Sequence, residues 1–103
     1  YIQEYMHCNG YGTKTYFETN TSLSHEVLST ILKRNPSLIL IDSYGLGKHG
    51  KDHISKDILC ESAACYVIEN IHIRPEQVNL LKTIHVDFNL AYPSSGKPCR
   101  VTF

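Results

Sequence analysis

The sequence predicts an α+β fold: a mainly antiparallel sheet of about five to six strands with one principal helix, residues 22–34, packed on one face. Two observations carry this. Several short segments alternate apolar and polar residues with the two-residue period of a half-buried strand. One segment, Leu23 to Arg34, instead keeps its apolar residues at helical spacing between a start and a stop signal. The resulting order is strand, strand, helix, strand, loop, strand, short helix, strand, strand.

Each element has its own warrant. Residues 1–8 alternate, with Ile2, Glu4, Met6 and Cys8 on one side and Tyr1, Gln3, Tyr5 and His7 on the other. Asn9-Gly10-Tyr11-Gly12 follows, and Thr13 to Thr19 is rich in β-branched and aromatic residues, which reads as a hairpin. Ser22 or Ser24 caps the helix, whose stripe is Leu23, Val27, Leu28, Ile31 and Leu32. Lys33 and Arg34 suit its last turn, and Asn35-Pro36 ends it. Leu38-Ile39-Leu40-Ile41 is a continuous apolar run, the mark of a central strand covered on both faces. Tyr44 to about Lys56 reads as a loop, with Gly45, Gly47 and Gly50 among Lys48, His49, Lys51 and His53. Residues 57–64 suit a short helix, and Cys65 to Ile73 a strand. Pro75 opens a short helix. Ile84 to Tyr92 alternates strictly, Pro93 to Gly96 turns the chain, and Cys99 to Phe103 makes the last strand.

Size and charge bound the function. A chain of 103 residues makes one domain, 1–103, and buries roughly two thirds of the surface its unfolded form exposes. Lys plus Arg and Asp plus Glu are 10 each, so the basic footprint of a bulk nucleic-acid binder is missing. The apolar runs are too short to form a transmembrane segment.

The four cysteines, Cys8, Cys60, Cys65 and Cys99, point to disulfides and hence to a periplasmic or extracellular protein. Cys8 and Cys99 share core-facing parity on the first and last strands, and a bridge between them is worth about 4–5 kcal/mol in the chain-entropy model. Cys60 with Cys65 is the favoured second pair. Two rivals stand beside this: free buried thiols, and a metal site from His49-x3-His53-x6-Cys60-x4-Cys65. The disulfide reading expects no metal and no cofactor.

Two functional classes follow. The preferred one is a protein that acts by binding a protein partner, as an inhibitor, an immunity protein or an envelope-associated protein does. Its candidate surfaces are a tyrosine–histidine face, Tyr5, His7 and Tyr16, and the loop residues Lys48, His49, Lys51 and His53. The alternative is a metal-independent ribonuclease or toxin domain. There His49 and His53 would be the acid and base, with Lys51 as the cation facing the phosphorane. Gly45 to Asp52 also comes near a phosphate-binding loop, but Asp52 stands where that loop needs a hydroxyl.

Overall fold

A computed structural model describes residues 1–2, 13–18 and 22–103. These fall into two compact units, Tyr1–His72 and Ile73–Phe103.

The first unit is built on a strand–helix–strand crossover. Helix α1 (Lys14–Glu18) and helix α2 (His25–Leu32) precede strand β1 (Leu38–Leu40); helix α3 (Lys51–Ser62) then leads to strand β2 (Tyr66–Ile68). β1 and β2 pair in parallel, Leu38 opposite Tyr66 and Leu40 opposite Ile68. Ile2 bridges Ile41 in parallel, and its N–H donates to the Leu40 carbonyl at 2.7 Å. The continuous apolar run thus has backbone partners on both sides. The core joins Leu28 of α2, Ile39 and Ile41 of the β1 region, Leu46, Cys60 in the last turn of α3 and Cys65 just before β2. Ser24 caps α2, its hydroxyl accepting from the Val27 N–H at 3.2 Å.

The second unit holds α4 (Pro75–Val78) and an antiparallel pair, β3 (His85–Phe88) and β4 (Cys99–Thr102). Pro75 sits in the first turn of α4, where its missing N–H costs nothing. Lys97 closes the connection between the strands by donating to the Tyr92 and Ser94 carbonyls at 2.7 and 2.9 Å.

The single antiparallel sheet of five to six strands does not form. Among the described residues there are four short strands in two two-stranded sheets, one of them parallel. The cause is α3. Residues 51–56, expected as loop, open a 12-residue helix. A helix between two neighbouring strands returns the chain to the end from which it left, so those strands run parallel. The segment Thr13 to Thr19 also departs from expectation, because Lys14–Glu18 is helical. The strand expected over 1–8 lies outside the described residues beyond Ile2.

Residues 57–64 were expected to be helical, but the first half of α3 does not read as helix because its amphipathicity is inverted. Its buried row includes Lys56 and Cys60, each 2% exposed, while Ile54 and Ile58 are 58% and 55% exposed. Lys56 lays its aliphatic stem inward, and its ammonium donates to Asp52 Oδ2 at 2.9 Å.

Candidate functional site

In α/β units, ligands bind beyond the carboxyl ends of parallel strands. Here those ends gather chemistry. β1 leads through buried Ile41, Asp42 and Ser43 to Tyr44 and Gly45, and β2 leads directly to Glu69. The backbones stay joined past the strands: Asn70 N–H donates to the Ser43 carbonyl at 3.0 Å and Ile71 N–H to the Ile41 carbonyl at 3.2 Å. This brings Glu69 beside Gly45.

His53, in the first turn of α3, completes the group. Its ring stacks on Tyr44 with centroids 5.7 Å apart and planes 15° from parallel. Its Nε2 lies 3.1 Å from Asp57 Oδ2, one helical turn on, and 4.0 Å from Glu69 Oε1. One donor atom from each of His53, Asp57 and Glu69 falls within 4.8 Å of the others.

Gly45 makes this approach possible. Its φ is +80°, and a Cβ there would run into the His53 ring at Cε1 and Nδ1 and come to 3.1 Å from Glu69 Oε1. Gly47 works on the helix backbone: a Cβ would lie 2.7 Å from His53 N and Cα. The two glycines let the loop lie directly on the first turn of α3.

The electrostatics follow from burial. Desolvation pushes the Asp57 carboxyl above its ordinary value, against the pull of His53. Desolvation also raises Glu69; His53 opposes this and the charge of Asp57 adds to it. Two carboxylates that resist ionisation therefore face one imidazole nitrogen. The other nitrogen, Nδ1, is buried and has no hydrogen-bond partner among the described residues.

A second network fixes the loop. Asp52 Oδ2 accepts from Lys48 N–H at 2.7 Å and from Lys56 Nζ at 2.9 Å, and Asp52 Oδ1 lies 3.8 Å from His25 Nε2 on α2. The Lys56 hydrogen bond, then the Lys48 amide, hold the Asp52 carboxyl below its usual range. A phosphate-binding loop needs such amides free for its ligand. Here Asp52 takes the Lys48 amide, so an incoming phosphate would meet a carboxylate.

Of the residues singled out in the sequence, His53 alone joins the cluster. Lys48, His49 and Lys51 are exposed on the loop and at the start of α3. No hydrogen bond or ion pair joins His49 to His53 among the described residues. Tyr16 is buried, and its hydroxyl donates to Asn70 Oδ1 at 2.8 Å. Tyr5, His7 and Cys8 lie outside the described residues. Cys60, Cys65 and Cys99 are free thiols. Burial first, and then the neighbouring Cys65, push the Cys60 thiol up to about 11. Cys60 and Cys65 belong to the buried core, and the ligand cluster found among the described residues contains neither them nor His49. Sequence reasoning missed Asp57 and Glu69. Asp57 stands four residues after His53, a same-face spacing that has meaning only once α3 is known to be a helix. Glu69 is the first residue past β2.

Comparison with protein-family models, with curated proteins and with solved structures gave no match. No helix among the described residues is long and apolar enough to cross a membrane.

Proposed function

We propose that residues 1–72 form a divalent-cation-binding unit, with His53 Nε2, Asp57 and Glu69 as ligands. The observation that carries this is the convergence of those three donors beyond the carboxyl ends of β1 and β2. Two donors about 2.1 Å from one tetrahedral ion lie about 3.4 Å apart. The His53–Asp57 distance of 3.1 Å is close to that, and the His53–Glu69 distance of 4.0 Å needs a shift of less than an ångström. A cation would also offset the repulsion between two partly desolvated carboxylates. One imidazole with two carboxylates suits a first-row transition ion better than magnesium or calcium, which favour all-oxygen sites. Three protein ligands leave a position open, where a bound ion can polarise water or a further ligand.

The same geometry weighs against the ribonuclease reading. A general base needs an accessible nitrogen. In His53, Nδ1 is walled in by Gly45, and Nε2 faces carboxylates rather than a second imidazole.

The test is calorimetric titration with Mn²⁺, an ion that ignores thiols. The chain should bind one equivalent, and Asp57→Asn or Glu69→Gln should weaken binding at least tenfold. Glu69→Gln removes a charge whose burial the fold opposes, so this variant should stay folded. Absence of binding in the native chain, or full binding by the double variant, would overturn the proposal.

A second reading, docking of a protein partner, is favoured by Ile54 and Ile58, one turn apart and more than half exposed on α3. If it holds, Ile54→Asp with Ile58→Asp abolishes capture of a stoichiometric partner while Mn²⁺ binding persists. Export to an oxidising compartment rests on the cysteine count alone.

A further inference from the structure

We infer that Cys60 and Cys65 form a redox-responsive pair, a modification site that closes to a disulfide within the folded chain. Neither cysteine belongs to the His53, Asp57 and Glu69 cluster. α3 ends in a Schellman motif: the Cys65 N–H donates to the Cys60 carbonyl at 2.9 Å, the Ala64 N–H donates to the Glu61 carbonyl at 2.9 Å, and Ala64 takes a φ of 53°. In this motif the residue after the left-handed position packs against the residue five before it. Here both are cysteines.

The hydrogen bond bounds the separation of the two residues. Covalent geometry puts the carbonyl oxygen of Cys60 about 2.4 Å from its own Cα, and the Cys65 N–Cα bond is about 1.5 Å. With the 2.9 Å hydrogen bond between them, the two Cα atoms are at most about 6.8 Å apart. Disulfides span about 4.4–6.8 Å between Cα atoms. Both side chains belong to one apolar cluster with Leu28, Ile39, Ile41 and Leu46, at 2% and 5% exposure. Both are free thiols, close enough for the charge of one to raise the other.

The reactant is a low-molecular-weight disulfide such as oxidised glutathione. The thiolate of Cys65, the more exposed of the two, attacks one glutathione sulfur. The glutathione S–S bond breaks, a mixed disulfide forms, and one glutathione thiolate leaves and takes up a proton. The Cys60 thiolate then attacks the Cys65 sulfur and displaces the second glutathione. The protein loses two thiol hydrogens and gains one S–S bond; glutathione disulfide is reduced to two thiols. Burial raises both protein thiols, so the first step is slow at neutral pH and the pair closes under sustained rather than brief oxidation. The turn that closes joins the helix carrying His53 and Asp57 to the strand leading into Glu69.

The test uses the full chain with Cys8→Ser and Cys99→Ser, equilibrated in glutathione buffers with and without denaturant, then alkylated and mapped by mass spectrometry. The folded chain should hold the Cys60–Cys65 bond at least tenfold more strongly than the denatured chain. Adding Cys60→Ser should stop the reaction at the mixed disulfide on Cys65. Equal or weaker bridging in the folded chain would overturn the inference, as would two alkylated thiols at every glutathione ratio.

Discussion

Gly45→Ala tests the packing that builds the site. Gly45 has a φ of +80°, and alanine in a left-handed conformation costs about 1–2 kcal/mol. The new methyl would also overlap the His53 ring, and overpacking of this kind costs about 1–3 kcal/mol. The ring cannot retreat with its backbone. The His53 N–H is bonded to the Lys48 carbonyl at 2.9 Å, and the Gly47 backbone lies against His53 N and Cα. The imidazole must instead swing off Tyr44 and Asp57. The expected total is a loss of about 2–5 kcal/mol, read from urea midpoints by circular dichroism, together with loss of Mn²⁺ binding. Gly50→Ala is the internal control. Its φ is +100° but a Cβ there meets open space, so it reports backbone strain alone, about 1–3 kcal/mol. Gly96→Ala, in open space with no positive φ, should fall within about 0.5 kcal/mol of the native chain. If Gly45→Ala costs no more than Gly50→Ala and Mn²⁺ still binds, the contact between Gly45 and His53 is refuted.

Three further outcomes are expected. Leu28→Ala, at a fully buried core position, should cost about 2–5 kcal/mol in urea unfolding, whereas Val27→Ala, 47% exposed beside it, should cost about 0.5 kcal/mol or less. Ala64→Gly should raise stability by about 1 kcal/mol, because Ala64 occupies the left-handed position of the Schellman motif, where glycine carries no Cβ penalty. Asp52 has a folded-state pKa below its unfolded value of about 3.9, so its stabilisation is present above that pH and is lost as pH falls through the lower folded value. The stability gap between the native chain and Asp52→Asn should therefore be widest near neutrality and close in acid. A gap independent of pH would deny the Asp52 network that role.

Parts of this fold were legible from local chemistry. The unbroken run at Leu38–Ile41 announced a strand with neighbours on both sides, and Ser24 with its apolar stripe announced α2. The alternation around Val86 and Val101 announced strands that do pair, antiparallel, as β3 and β4. The second half of α3 was legible as a short helix, but residues 51–56 were hidden because a lysine and a histidine take inward positions while Ile54 and Ile58 face out. Apolar periodicity cannot report a helix whose buried face is partly ionic. Three glycines at its entrance deepened the impression of a loop. With α3 read as half its length, the parallel pairing of β1 and β2 was not expected. The segment at Lys14–Glu18 has the β-branched and aromatic content of a strand, but tertiary context makes it a helix, with Tyr16 buried and tied to Asn70. The site shared the fate of α3. His53 stood out as a histidine beside glycines, but Asp57 joins it only through one turn of helix, and Glu69 only through a parallel neighbour strand.

The proposed divalent cation binds at the carboxyl ends of β1 and β2. Paramagnetic broadening of backbone amide signals by substoichiometric Mn²⁺ tests it residue by residue. Broadening is expected to centre on Tyr44, Gly45, His53, Asp57 and Glu69, and to be abolished by Asp57→Asn with Glu69→Gln. Broadening centred on His49 or on the His25–Asp52 pair, or no broadening at His53, would contradict it.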